Sequence, residues 1–141
     1  MGTPIAPVKS LDHLVLTCAD ISTTADWYHN NLGMKIEKFS SELQPDVERV
    51  ALKFGSQKIN LHQKGKEFEP KAAVARPGTA DLCFILQGGT DLEQVLQRLK
   101  DKGLEVLEGG KVVSRTGAQG KIQSVYVRDP DANLIELSIY P

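Results

Sequence analysis

Apolar and polar positions along the first half of the chain predict a strand, a helix and three further strands. Residues 11–17 are rich in Leu and Val and favour a strand. Residues 20–31 are typical of a helix that begins with polar capping side chains and ends before Gly33. Three shorter strands are expected after this helix, at residues 34–39, 47–54 and 58–63.

The second half repeats this order of elements. Residues 80–86 form an apolar strand candidate, and Thr90 with Glu93 three residues later predicts a helix that begins with a capping box. An apolar stripe at helical spacing follows, and the helix is expected to end at Gly103. The remaining strands are expected at residues 104–107, 122–127 and 134–139.

Similar spacing in the two halves indicates an internal duplication. The first strand and the glycine that ends the helix are 20 residues apart from His13 to Gly33, and 22 apart from Asp81 to Gly103. Residues 64–78 are charged and contain two prolines, so they are expected to link the halves. Duplication explains the shared order better than chance does.

The predicted fold class is α+β, with two βαβββ modules that each form a mixed sheet. A chain of 141 residues is long enough to bury a hydrophobic core and is expected to form a single domain, residues 1–141. The modules are expected over about residues 10–63 and about residues 80–140.

Composition narrows the range of partners. The chain is 40% hydrophobic and 25% charged with a formal net charge of −1, which favours neither nucleic acid nor an anionic membrane as the partner. No apolar run approaches the roughly 20 residues of a membrane helix, and the first nine residues do not resemble a signal peptide. A cytoplasmic protein is therefore expected. Cys18 and Cys83 both lie in apolar strands and are predicted to be buried free thiols.

Candidate metal ligands lie on the predicted first and last strands of each half. In the last strand of the first half, Ile59 and Leu61 alternate with Asn60 and His62, so the two polar residues should share one face. In the second half, Glu136 lies inside an apolar strand, where an unpaired carboxylate would be costly. Imidazole and carboxylate groups are good ligands for divalent metals such as Zn, Ni, Mn, Co and Fe.

Three stretches of the sequence resemble the vicinal oxygen chelate superfamily, which includes glyoxalase I, bleomycin-resistance proteins and extradiol dioxygenases. They are DHLVLTCADISTTADWYHNNLGMKI, FGSQKINLHQ and VYVRDPDANLIELS. The nearest resemblance is to glyoxalase domain-containing proteins. The resemblance implies two cupped half-barrels around one divalent metal ion, a small-molecule substrate and a homodimer.

The resemblance also implies a ligand set. His13 and Glu136 match the family's metal ligands well. In the first unit, aligning INL (residues 59–61) with IEL (residues 135–137) selects Asn60 as the ligand. Matching by position near the strand end selects His62 instead. His62 is preferred because neutral imidazole is the better ligand. Asp81 replaces the His that the family usually carries at that point, so it is either a ligand or a base.

Substrate contacts are expected from two further residues. Arg115 lies in a predicted loop over residues 114–120, where a guanidinium could hold an anionic group bidentately, although a solvated hairpin loop is an equal alternative. Asn60, if it does not bind the metal, is expected to contact substrate. Asp81 and Glu136 are the candidates for moving a proton.

Three functions are consistent with this pattern. The first is a metal-dependent enzyme of glyoxalase-like lyase or isomerase type, which would bind two neighbouring oxygens of a small substrate to the metal. The second is an Fe(II)-dependent ring-cleavage dioxygenase. The third is a metal-free small-molecule binding or resistance protein, which would leave His13, His62 and Glu136 unexplained.

Overall fold

The structure, a computed structural model, describes residues 2–141. The chain divides into two compact units, Met1–Ala75 and Arg76–Pro141. The boundary between them falls inside the stretch that was expected to link the halves, residues 64–78. In the described part of the chain, no helix has the length and apolar character needed to cross a membrane.

Unit 1 is a four-stranded mixed sheet with one helix. Its elements are β1 (His13–Cys18), α1 (Ile21–Leu32), β2 (Lys35–Ser41), β3 (Gln44–Phe54) and β4 (Gln57–Gln63). The strand order is β1-β4-β3-β2, in which β1 runs parallel to β4 and the other neighbours are antiparallel. As in any β-sheet, the side chains of consecutive residues along each strand point to opposite faces of the sheet.

Helix α1 begins and ends as the sequence predicts. The Asp20 carboxylate accepts a hydrogen bond from the backbone N–H of Ser22 at 2.9 Å, which caps the first turn. Gly33 adopts a left-handed conformation with φ of 70° and ends the helix.

One face of the unit 1 sheet packs against α1 and forms the core of this unit. The buried side chains are Leu16, Cys18, Leu52, Ile59 and Leu61 from the sheet, with Ala25 and Tyr28 from the helix. The opposite face carries Asn60 and His62, which confirms the alternation predicted for residues 58–63. We call the face directed away from the helix the open face of the unit; in unit 1 it carries His13, Asn60 and His62.

Unit 2 has the same topology. Its elements are β5 (Asp81–Ile85), α2 (Leu92–Asp101), a short 3-10 turn (Glu108–Gly110), β6 (Val113–Gly117), β7 (Gly120–Arg128) and β8 (Leu134–Ile139). The strand order is β5-β8-β7-β6, again with the first and last strands of the unit parallel. The predicted α+β fold with two βαβββ modules is confirmed.

One strand of unit 2 was predicted in the wrong place. Residues 104–107 form no strand, and the second strand of the unit is β6, which starts at Val113 and overlaps the expected loop of residues 114–120. The apolar character of residues 104–107 reflects packing, since Val106 is buried and the Leu107 N–H bonds to the Tyr126 carbonyl. Strand β6 carries Ser114, Arg115 and Thr116, so it lacks the apolar alternation that predicts strands.

The start of α2 also differs from the prediction. Asp91, not Thr90, is the capping residue, and its carboxylate accepts from the Glu93 N–H at 3.0 Å. The Thr90 hydroxyl instead donates to the Gln87 carbonyl. Because adjacent Thr and Asp residues are both good caps, the sequence pattern alone does not separate them.

A buried turn between β7 and β8 holds the start of β5 in place. The Asn133 side chain, 2% exposed, accepts a hydrogen bond from the Ala80 N–H at 2.9 Å and donates to the Asp129 carboxylate at 2.8 Å. Asp129 also accepts from the backbone N–H groups of Asp131 and Asn133. The turn thus fixes residue 80, and with it the position of Asp81 at the head of β5.

We expect Asn133→Ala to lower the free energy of unfolding by about 2–4 kcal/mol, because it leaves the Ala80 N–H and the Asp129 carboxylate buried without this partner. Urea unfolding followed by circular dichroism measures the change. Gln94→Ala on the exposed side of α2 is the matched control, with an expected change within about 0.5 kcal/mol. Equal, small effects of the two substitutions would contradict the structural role of Asn133.

Candidate metal and substrate site

The strand register of unit 1 places three candidate residues on its open face. In the parallel pair β1 and β4, His13 is opposite Lys58, Val15 is opposite Asn60, and Thr17 is opposite His62. Paired residues of neighbouring strands point to the same side of a sheet. His13, Asn60 and His62 therefore share one face, as the sequence predicts for the last two.

His13 is an accessible imidazole that pairs with the neighbouring Asp12. Its side chain is 44% exposed, and its Nδ1 lies 2.7 Å from Oδ2 of Asp12. The hydrogen bond to His13 lowers the pKa of the Asp12 carboxyl group. When Nδ1 donates to a carboxylate, Nε2 carries the lone pair, which is the arrangement found for histidines that bind metals.

His62 is buried, and its environment favours the neutral ring. Its pKa is lowered by burial and, to a smaller degree, by the positive charge of Arg49. Phe68 packs edge-on against the imidazole with 5.3 Å between ring centroids, and the Arg49 guanidinium lies 4.0 Å above the Phe68 ring. A neutral imidazole is the form that binds a metal.

Asn60 carries a buried polar atom that the described residues leave unsatisfied. Its side-chain oxygen, Oδ1, is buried and has no hydrogen-bond partner within residues 2–141. Leaving a buried acceptor unpaired costs about 1–3 kcal/mol. An amide oxygen in this state is suited to accept a hydrogen bond from a ligand or to coordinate a cation.

The register of the two sheets corrects one expectation about matched positions. Asn60 is opposite Val15, and Glu136 is opposite Cys83. Val15 and Cys83 each lie two residues after the first residue of their strands, so the counterpart of Glu136 is Asn60 and not His62. The counterpart of His62 is Ser138. Matching by position near the strand end selected His62 because it does not take the register of the sheet into account.

In unit 2, Glu136 is half-buried and held by hydrogen bonds. Its Oε2 accepts from the Ser124 hydroxyl at 2.6 Å and from the Ser138 hydroxyl at 3.3 Å. Both serines are fully buried, and their oxygens are 2.7 Å apart. This network orients one carboxylate oxygen and leaves the other, Oε1, outside the serine contacts. It also satisfies the carboxylate in the apolar strand.

Asp81 lies on the same open face but is exposed. Asp81 is the first residue of β5 and faces solvent, so its carboxylate needs no buried partner. Exposure keeps its carboxylate accessible to a ligand.

The two cysteines differ in their environments. Cys18 is buried under α1, as predicted, whereas Cys83 is exposed, which contradicts the prediction of a buried thiol. Cys83 belongs to the open face because strand residues alternate between faces, and an apolar run does not show which face is covered. Partial burial of the sulfur raises the pKa of the Cys83 thiol, and the contact with Ser138 opposes this rise.

A pocket of about 340 Å³ is lined by residues of the open face of unit 2 and of the β6–β7 hairpin. Its polar side chains come from four strands of the sheet or their ends: Cys83, Arg115, Thr116, Tyr126, Glu136 and Tyr140. Tyr126 and Tyr140 were not predicted as site residues. Tyr126 is directly opposite Glu136 on β7, so a correct strand register would have selected it.

The candidate residues form two half-sets. Within residues 2–141, no three His, Cys, Asp or Glu side chains lie together in a cluster that could hold a metal ion. Unit 1 offers His13 and His62 with the oxygen of Asn60, and unit 2 offers Asp81 and Glu136. Imidazole and carboxylate are both donor groups that bind borderline divalent ions.

Comparison with known proteins gives the family. The profile described as Glyoxalase/Bleomycin resistance protein/Dioxygenase superfamily matches residues 10–137. The chain is 54% identical over 133 residues to glyoxalase domain-containing protein RDO1 of Mycosarcoma maydis, covering 94% of this chain and 69% of that protein. It is 49% identical over 133 residues to virulence protein STM3117 of Salmonella typhimurium, covering 94% and 85% of the two chains.

The crystal structure of STM3117 has a TM-score of 0.85 at 47% identity and covers 96% of this chain and 100% of that one. More distant relatives are named as enzymes. Biphenyl-2,3-diol 1,2-dioxygenase 3 of Rhodococcus globerulus is 32% identical over 135 residues, 62% of its length. An ethylmalonyl-CoA/methylmalonyl-CoA epimerase of Cereibacter sphaeroides is 25% identical over 135 residues, 97% of its length. With sequence and fold in agreement over nearly its whole length, the protein belongs to the Glyoxalase/Bleomycin resistance protein/Dioxygenase superfamily, whose members include lyases, isomerases and dioxygenases.

Proposed function

We propose that this protein is a metal-dependent enzyme of glyoxalase-like lyase or isomerase type that acts on a small, oxygen-rich substrate. His13, His62 and Glu136 would hold one divalent metal ion. The observation that carries the proposal is the Glu136 carboxylate on the open face of unit 2, which two buried serine hydroxyls hold by hydrogen bonds to Oε2. Asn60 is the alternative to His62 as the ligand from unit 1.

The chain's own chemistry supports a metal at these residues. His13 has its Nδ1 held by Asp12, and burial favours the neutral form of His62 by lowering its pKa. The Glu136 carboxylate is fixed by two buried serine hydroxyls, as carboxylate ligands commonly are. When bound, a divalent ion would polarise substrate oxygens as a Lewis acid. The identity of the ion, among Zn, Ni, Mn, Co and Fe, follows from measurement and not from composition.

The remaining residues are assigned to binding and proton movement. Asp81 is an exposed carboxylate on the open face of unit 2 and would accept or return a proton of the substrate. Glu136 is a second candidate for this role. Arg115 would hold an anionic group of the substrate, and Asn60, if it is not a ligand, would hydrogen-bond to it through Oδ1.

The proposal includes a cytoplasmic homodimer. Strands β1 and β5 each lie at the edge of their own sheet, and both carry exposed apolar side chains, Val15 at 45% and Ile85 at 55%. Unpaired strand edges with apolar residues favour association. A two-fold arrangement is the commonest way for like chains to cover them.

Purified without added metal and analysed by size-exclusion chromatography with light scattering and elemental analysis, the protein is expected to elute as a dimer that carries one divalent ion per chain. Iron as the sole metal would favour the ring-cleavage dioxygenase, for which two His and one carboxylate are a suitable ligand set. A metal-free protein that cannot be loaded with any of the five ions would contradict the proposal and favour a binding or resistance protein. A monomer that retains its metal would contradict the dimer alone.

Two variants decide the ligand of unit 1 within the same experiment. His62→Ala is expected to lose most of the bound metal, and Asn60→Ala to retain it, because imidazole is the stronger ligand. The opposite result would transfer the role to Asn60, in keeping with its register. His29→Ala is the control, because the His29 ring interacts with the Met34 carbonyl at 2.8 Å.

A further inference from the structure

The pocket of unit 2 combines one cationic group with two phenols. The Arg115 guanidinium carbon lies 5.4 Å from the centroid of the Tyr126 ring. Tyr126 is directly opposite Glu136 in the β7–β8 pair, so its phenol lines the pocket beside that carboxylate. Apolar surface comes from Ile85 and Ile122. The lining is thus mostly apolar, with a few convergent polar groups, as is usual for a small-molecule site.

The Arg115 side chain extends along the sheet from its own position opposite Ile122 to the ring of Tyr126 in this pocket. On β6 it is opposite Ile122, four residues before Tyr126 on the neighbouring strand β7. Its guanidinium nevertheless lies over the Tyr126 ring, so the side chain extends back along the sheet toward the level of Glu136. Its contact with the exposed Glu108 is loose, at 3.5 Å, and such exposed pairs contribute little stability. Nη1 of Arg115 donates to the Ser114 carbonyl at 2.9 Å, so a ligand carboxylate would replace Glu108 on the Nη2 side of the guanidinium, at low cost.

The far end of the pocket is closed by Tyr140. Its hydroxyl oxygen accepts a hydrogen bond from the Gln119 N–H at 3.0 Å, which ties the β6–β7 hairpin to the C-terminal strand. A Cβ at Gly117 would approach this oxygen to 2.6 Å, so only glycine allows the close contact. The Tyr140 O–H is left to donate to an acceptor in the pocket.

The geometry points to a small monocarboxylic acid as the ligand of this pocket, bound through its carboxylate to Arg115 with its apolar body against Tyr126, Ile85 and Ile122. A planar carboxylate matches the two parallel donors of a guanidinium. The nearby carboxylates of Glu108 and Glu136 disfavour a dianion such as a phosphate ester. At about 340 Å³ the volume is near the lower end of ligand pockets and favours a compact acid over one with a nucleotide-sized handle.

This inference deepens the proposed function, on which it rests for the reaction, but its test does not need the metal. The protein is treated with a chelator, and binding of benzoate and of its neutral isostere benzamide is measured by calorimetry or ligand-observed NMR. Benzoate is expected to bind at least tenfold more tightly than benzamide. Arg115→Gln is expected to remove this preference, since a charge-assisted bidentate pair contributes about tenfold or more to affinity.

Two further variants keep the result interpretable. Arg115→Lys retains the charge and is expected to bind benzoate with intermediate affinity, because Lys lacks the bidentate geometry. Arg128→Gln, which removes an exposed arginine that does not line the pocket, is expected to bind benzoate as the unmodified protein does. Equal binding of benzoate and benzamide, or an unchanged preference in Arg115→Gln, would overturn the inference.

The proposed function fails in a different way. If the protein never holds a divalent ion but still prefers benzoate, the acid-binding pocket is supported and the metal-dependent reaction is contradicted. A protein that holds one ion per chain but shows no preference for the acid retains the metal proposal alone.

Discussion

Glu136→Gln is expected to lower the affinity for the divalent metal by more than the roughly 10–100-fold that loss of an outer-shell partner costs. The substitution keeps the size of the side chain and removes the negative charge and one strong oxygen donor. Competition with a fluorescent chelator measures the affinity. Glu105→Gln, an exposed position of the same unit, is the matched control and should leave the affinity unchanged.

Substitutions of the two serines that hold Glu136 are expected to weaken metal binding to different degrees. Ser124→Ala removes the 2.6 Å hydrogen bond to Glu136 and should weaken metal binding by about 10–100-fold, while Ser138→Ala, with the longer bond of 3.3 Å, should have the smaller effect. Far-ultraviolet circular dichroism shows whether each variant keeps its fold. Glu136→Gln with full metal affinity would exclude Glu136 as a ligand and leave the serines as a structural network only.

Asp81→Asn is expected to reduce turnover of a substrate by about 10²–10⁴-fold while the metal remains bound, because the amide cannot accept a proton. The exposed position of Asp81 at the head of β5 makes it accessible to substrate, and the side chain is not a partner of the Glu136 network. The measurement pairs metal content with the rate of hydrogen–deuterium exchange at carbon in small acids that bind the protein. Asp101→Asn in α2 is the matched control.

The alternative roles of Asp81 give different results. If the metal is lost together with turnover, Asp81 is a ligand, as the family's histidine would be at this position. If metal content and exchange rate both stay unchanged, Asp81 has no part in the site.

Most of the fold could be predicted from periodicity and turn residues. The alternation in residues 58–63 and the left-handed Gly33 define β4 and the end of α1, because both arise from local chemistry. Strand β6 could not be predicted in this way. Its residues Ser114–Gly117 are polar, and its position depends on pairing with β7, a contact between strands that local sequence does not record.

The sequence predicted which residue types form the candidate site, but it predicted less well which positions of the two units correspond. His62 and Asn60 were assigned to the correct face, but the choice of counterpart to Glu136 needs the strand register. Cys83 was misplaced because an apolar strand looks the same whichever face is covered. Tyr126 and Tyr140 were missed, since their place in the pocket depends on the pairing of β7 with β8 and on the contact of Tyr140 with the β6–β7 hairpin.

The stretch RDPDANLIEL has two parts, a structural turn around Asp129 and Asn133 and a strand that carries Glu136 into the pocket. Its first part builds a hydrogen-bonded corner that would be equally useful in any protein of this shape, whatever reaction it performs. Among its residues, only Glu136 faces the pocket. A protein that shares the corner but replaces this glutamate would keep the architecture and change its chemistry. Divergence of activity within one architecture can therefore begin at a single position three residues beyond the corner.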